Sequence, residues 1–209
     1  MTAPVLAYKK FYIIKPAEGR NYINNPIFSP PDHAKNWSYS GGTGGTIEET
    51  GDQRRFGAYS MQVNPVSGVV ANAYYGGLTV ENGSTYTFSA YVKGTVGETF
   101  RVYITDSLTW PIHAYTDFTA TGYWQRKEVT WTATGNSSTI AVAVQRKAIA
   151  STDPFYVDGV QFEQASAATT LIEGYMPGCR WESYARNSSS IRSAQYRKGG
   201  EIVDLSDYC

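Results

Sequence analysis

Apolar and polar residues alternate with a period of two along much of this chain. Tyr86, Phe88, Ala90 and Val92 are interleaved with Thr87, Ser89 and Lys93. A strand sends successive side chains to opposite faces, so this pattern predicts a strand with one buried and one wet face. Phe100, Val102 and Ile104 repeat it against Arg101 and Thr105. Val129, Trp131 and Ala133 do so against Glu128, Thr130 and Thr132, within a strand predicted over 124–134. Ile140, Val142 and Val144 form another buried edge, and the run 155–163 closes the series. Further strands are predicted over 56–63, stopped by Asn64-Pro65, and over 69–75, ended by Gly76-Gly77. Another, 78–83, ends in Asn82-Gly83, a strong turn signal. Roughly eight to ten strands with turn signals between them indicate an all-β jelly-roll sandwich. No helical stripe of useful length and no internal repeat interrupts the pattern.

The breaks divide the chain into an N-terminal arm (1–19), a sandwich (20–174) and an extended C-terminal tail (175–209). Lys10–Lys15 can form a short strand, stopped by Pro16 and Gly19. Ser29-Pro-Pro-Asp32 is a rigid turn, because proline fixes φ and lacks a donor. Ser40–Gly45 is expected to be a flexible loop, too glycine-rich to pack. Beyond Gly174 the composition turns basic, with Arg180, Arg186, Arg192, Arg197 and Lys198. Such a tail has too little apolar content to fold alone. It is expected to pack along a neighbouring subunit or to lead into a further domain.

Hydrophobic residues make up 42% of the 209, charged residues only 17% and aromatics 14%, which favours β over helix. Basic and acidic residues balance at 18 each, so the chain lacks the basic footprint of a nucleic-acid binder. The first residues lack the basic region of a signal peptide, so none is expected, and no apolar run reaches membrane-spanning length. The two cysteines, Cys179 and Cys209, lie outside the sandwich and lack metal-site spacing. A bridge between them and two free thiols both stay open, and a reducing cytoplasm favours the thiols.

Catalysis finds no support. No G-x-S-x-G motif is present, and the histidines are His33 and His113. Gly41–Gly45 lacks the lysine and helix of a phosphate loop. Glu48, Glu49, Asp106, Asp117, Glu128, Asp158 and Glu163 supply carboxylates, but nothing selects a catalytic pair. Sugar binding is the sharper hypothesis, because pyranose faces stack on aromatic rings. The loop 107–115 brings Trp110, His113 and Tyr115 together, and Tyr74-Tyr75 beside two glycines is a second platform. Loop packing and a subunit interface are the alternatives for these aromatics. Trp37, Trp124 and Trp131 are expected in the core.

Three stretches carry a resemblance: Asn24-Asn-Pro-Ile-Phe28 followed by Trp37, Tyr86–Lys93, and Phe155–Glu163. In this order, over about 20–174, they resemble the carbohydrate-binding-module-like jelly rolls of secreted glycosidases and bacteriophage tail proteins. Trp181 and Ser188–Arg192 resemble a segment that follows this jelly roll in phage minor tail proteins. The resemblance implies a non-enzymatic virion protein of the tail or baseplate, made in the host cytoplasm. Other virion proteins would be its partners, within a homo-oligomer strapped together by arm and tail, and its ligand would be host-surface polysaccharide. It also implies a structural Ca2+ held by Asp158, although Ser29 stands where the family has an acidic residue. The alternative for Asp158 is a hydrogen-bonding role toward backbone amides near the N-terminal segment. Two rival functions remain. One is a non-catalytic binding module of a secreted polysaccharide-degrading enzyme. The other is a capsid or tail decoration protein that binds no sugar.

Overall fold

A computed structural model of the protein describes residues 18–30, 34–106, 111–134, 139–147, 150–193, 195–198 and 201–204. The first strands are β1 (Gly19–Asn21), β2 (Trp37–Ser40), β3 (Thr46–Thr50), β4 (Ser60–Asn64) and β5 (Ala71–Thr79). Then come β6 (Thr85–Lys93), β7 (Thr99–Thr105), β8 (Ile112–Thr119), β9 (Gln125–Thr132), β10 (Thr139–Arg146) and β11 (Phe155–Glu163). Short strands follow: β12 (Cys179–Trp181), β13 (Ser190–Arg192), β14 (Gln195–Lys198) and β15 (Glu201–Asp204). No helix occurs among the described residues.

Two five-stranded antiparallel sheets face each other, ordered β2-β5-β10-β7-β8 and β3-β4-β11-β6-β9. The predicted inward residues fill the space between them. Val102, Ile104, Val142 and Val144 of the first sheet share one buried cluster with Phe88, Val92, Val157 and Phe162 of the second. Aromatic pairs organise this core. Phe162 stacks on Tyr86 at 5.2 Å between ring centroids and 8° between planes. Trp37 meets Tyr75 edge-on at 5.7 Å, and Phe100 meets Phe155 at 5.2 Å. Each such pair is worth about 0.5–1.5 kcal/mol beyond its buried area.

Several expectations change. The strand expected to end at Gly76-Gly77 runs through both glycines to Thr79. A register shift against β10 absorbs them, and Gly77 takes a positive φ of 77° that a bulge tolerates best in glycine. The glycine-rich stretch after Ser40 does pack: a Cβ at Gly41 or Gly45 would collide with the Tyr39 ring. The region 107–115, expected as a loop, contains the start of β8 from Ile112. The predicted strand over Lys10–Lys15 falls outside the described residues.

Part of the tail also departs from the extended strap. β13 pairs with β1 on one side and β12 on the other, forming a small sheet within the same chain. Its arginines find carbonyls there. Arg192 donates to Thr170 O at 3.3 Å, and Arg186 donates to Pro30 O. β14 and β15 form a hairpin of their own. Cys179 is half-buried and unbridged among the described residues, with its thiol pKa raised by burial, while Cys209 lies outside the described residues.

Segment 164–174 returns over the outer face of the second sheet. Gln161 Oε1 accepts from Ile172 N at 2.7 Å, Glu163 Oε1 from Thr169 N at 2.8 Å, and Arg126 donates to Thr169 O at 2.6 Å. This cover closes that side of the sandwich around β11.

Candidate functional site

The outer face of the sheet β2-β5-β10-β7-β8 carries the candidate site. Strand registry assembles it from residues far apart in sequence. One row across the sheet reads Ser38, Tyr74, Ala143, Tyr103, Tyr115. The neighbouring row reads Ser40, Asn72, Gln145, Arg101, Asp117. An aromatic row thus lies beside a fully polar one. Neighbouring strands are about 4.8 Å apart, so Tyr74 and Tyr115 stand roughly 14 Å apart, the length of a few linked pyranose rings.

Hydrogen bonds lock the rows together. Tyr103 OH and Gln145 Nε2 both donate to Asn72 Oδ1, at 3.1 and 2.8 Å. Asn72 Nδ2 donates to Ser40 O at 3.2 Å. Burial pushes the Tyr103 hydroxyl up to about 12, so it stays protonated as a donor. Arg101 grips Asp117 through two N–H bonds, Nε to Oδ1 at 2.6 Å and Nη2 to Oδ2 at 3.0 Å. Lys147 Nζ adds a third bond to Asp117 Oδ2 at 2.8 Å. These donors, Arg101 first, hold the Asp117 carboxyl down at about 2. The Arg101 guanidinium lies 3.8 Å from the Tyr115 ring centroid and braces it, while the ring remains 55% exposed.

The sequence-predicted residues divide. Tyr115 is on this face and open to solvent. Tyr74 is on it too, half-buried, three strands away. Its neighbour Tyr75 is not: strand alternation turns it into the core against Trp37, with 6% exposure. His113 is half-buried and engaged on two sides. Its ring stacks on Trp131 at 4.3 Å and 15°, and its Nε2 lies 2.7 Å from Asp106 Oδ1. Trp131 is accordingly only partly buried at the core margin. Trp110 and His33 lie outside the described residues. Asn72, Tyr103, Gln145 and Lys147 escaped the sequence, and Asp117 stood there only among carboxylates that nothing paired. Arg101 is visible as the polar half of the β7 alternation, but its partners are set by registry alone.

Asp158 sits elsewhere, fully buried on β11 in the second sheet. Its Oδ2 accepts from Arg55 N at 2.7 Å and Phe56 N at 2.8 Å, and its Oδ1 from Gly159 N at 2.7 Å. Three N–H donors aimed at one carboxylate are the reverse of the oxygen cage that Ca2+ requires. Among the described residues no three His, Cys, Asp or Glu gather as a metal site. The surroundings of Asp158 do not fit a calcium ligand; they clamp the 55–56 backbone to β11.

Burial outweighs those three bonds and raises the Asp158 pKa from 3.8 to about 6. Between these values the native state keeps a proton that the unfolded chain releases. The stabilisation is therefore full below about pH 4 and lost as pH rises through about 6, on the order of 3 kcal/mol. Urea unfolding of wild type and Asp158→Asn at pH 4 to 7 checks this. The stability advantage of wild type over the variant is expected to shrink by that amount as pH rises. A pH-independent difference would show that Asp158 titrates normally.

Residues 20–153 match the family model described as a carbohydrate binding domain. No curated protein matches the chain in sequence. Solved structures share the fold. TmCBM61, determined in complex with β-1,4-galactotriose, is 17% identical with a TM-score of 0.52, over 70% of this chain and 99% of that one. The CBM22-1 xylan-binding domain of Paenibacillus barcinonensis Xyn10C is 14% identical with a TM-score of 0.52, over 75% of this chain and all of the other. The enzymatically active domain of bacteriophage CBA120 tailspike protein 4 is 13% identical with a TM-score of 0.54, over 68% of this chain and 21% of that one. The family match runs from β1 through β10 and so spans every strand that builds the aromatic and polar rows. The chain belongs to the carbohydrate binding domain family.

Proposed function

We propose that this protein binds a polysaccharide chain on the outer face of this sheet, at its β8 end, without cleaving it. The carrying observation is the exposed, braced ring of Tyr115 in line with Tyr74, beside a row of amide and charged side chains. A sugar ring stacks on Tyr115, and its hydroxyls meet the polar row. Asp117 is no general acid, because Arg101 and Lys147 keep it ionised. Affinity electrophoresis against a panel that includes galactan and xylan tests this. Tyr115→Ala is expected to lose at least about tenfold in affinity for the retained polysaccharide. Its melting temperature should stay nearly unchanged, since the ring is over half exposed. Unaltered retention by Tyr115→Ala would overturn the proposal.

The setting we favour is a binding module within a larger carbohydrate-active protein. Its support is the pairing of β12 and β13 with β1 of the same chain, which removes part of the tail from service as an inter-subunit strap. A virion setting is the second reading, supported by the likeness of Trp181 and Ser188–Arg192 to a phage minor tail segment. There, many copies would multiply weak sugar contacts. Light scattering on the same samples separates them: a monomer accords with the module, a closed oligomer with the virion component.

A further inference from the structure

We infer that the sugar face is built for an acidic polysaccharide, one carrying uronate carboxylates, and that Lys147 reads that charge while Arg101 braces Tyr115 and Asp117. This rests on the glycan-binding function proposed above. Asp117 is the one carboxylate in the two rows, and both its oxygens are already engaged by Arg101 and Lys147. Two cations against one anion leave a net charge of +1 there. Asp106, at the end of β7, is held by His113. The main amide acceptor, Asn72 Oδ1, is likewise taken by Tyr103 and Gln145. What remains is one amide acceptor, Gln145 Oε1, beside an excess of N–H donors. Arg101 Nη1 and two of the three N–H groups of Lys147 have no partner among the described residues. The Lys147 side chain is 37% exposed, so a ligand can reach it.

A neutral sugar needs acceptors for its hydroxyl protons as well as donors. A uronate supplies its own acceptors, and charge-assisted bonds to them are roughly twice as strong as neutral ones. Such a ring at the β8 end of the sheet would offer its carboxylate to the exposed N–H groups of Lys147, which Asp117 holds in position.

Isothermal titration of the full chain with polygalacturonate, and with the same polymer after carboxyl reduction, tests the inference. The acid form is expected to bind at least about tenfold more tightly, with the advantage falling as salt is added. Lys147→Gln should abolish the preference and Lys147→Arg should retain it. Equal binding of both polymers would overturn the inference and leave glycan binding standing. A preference that survives in Lys147→Gln would overturn the assignment to this cluster. Failure of the acidic polymer to bind while the reduced one does would also overturn it. Failure of both of these, together with the neutral panel, would overturn glycan binding itself.

Discussion

Asn21→Ala is expected to destabilise the protein by about 3–5 kcal/mol, although Asn21 is far in sequence from the strands it serves. The side chain is fully buried, and both of its polar atoms are used twice. Nδ2 donates to Val160 O at 2.9 Å and Ile172 O at 3.2 Å. Oδ1 accepts from Ile23 N and Phe162 N, each at 3.1 Å. One amide thus joins β1, β11 and the segment after β11. Its loss strips that partner from the Val160 carbonyl and from two buried N–H groups, while Ile172 O keeps its bond from Ser190 Oγ at 3.0 Å; each unpartnered group costs about 1–3 kcal/mol before relaxation. Asn21→Asp keeps the acceptor side but turns an oxygen toward two carbonyls, so it should be at least as damaging at neutral pH. Chemical denaturation measures both. A loss below 1 kcal/mol for Asn21→Ala would mean that water or a shifted backbone replaces the network. The proposed glycan face lies on the other sheet, so the folded fraction of either variant should bind as wild type.

Phe162→Ala should cost about 3–5 kcal/mol by deleting the ring at the centre of the aromatic core. Phe162 is fully buried, stacked on Tyr86 and tilted against Tyr22 at 6.0 Å. Its removal leaves a cavity bounded by two large rings, and close-packed neighbours relax only partly into such a space. Tyr86 is further pinned by its hydroxyl, which accepts from Glu81 N at 2.9 Å. Phe162→Leu fills most of the volume and should cost markedly less. Equal losses for Ala and Leu would indicate that the stacked pair, rather than the filled volume, carries the stabilisation.

The central strands were legible because burial on one face leaves a period of two. β6 and β7 show it, as does β9 at a sheet edge; β10 and β11 are buried on both faces and were legible as dense apolar runs, and the inward residues of all five line the core as expected. β2, β3 and β8 were not legible. Like the legible β9 they lie at sheet edges, and in them much of each strand stays in water, so nothing compels apolar alternation. β3 reads Thr-Ile-Glu-Glu-Thr, with a single apolar residue. The basic tail misled for a related reason. Composition counts the charges of Arg186 and Arg192 but not the carbonyls of Pro30 and Thr170 that receive them.

The sequence by itself determined the all-β class, the core-facing residues of the central strands and the aromatic candidates, among them Tyr74 and Tyr115. Local pattern suffices for these, because alternation and turn chemistry act over a few residues. Only the tertiary structure decided which aromatics share a face. Tyr74 and Tyr75 are adjacent in sequence and point to opposite sides, while Tyr103 reaches Asn72 and Arg101 reaches Asp117 across strand pairs. Registry between strands is set by the packing of the whole sandwich, and the rows of the proposed site exist only once that registry is formed.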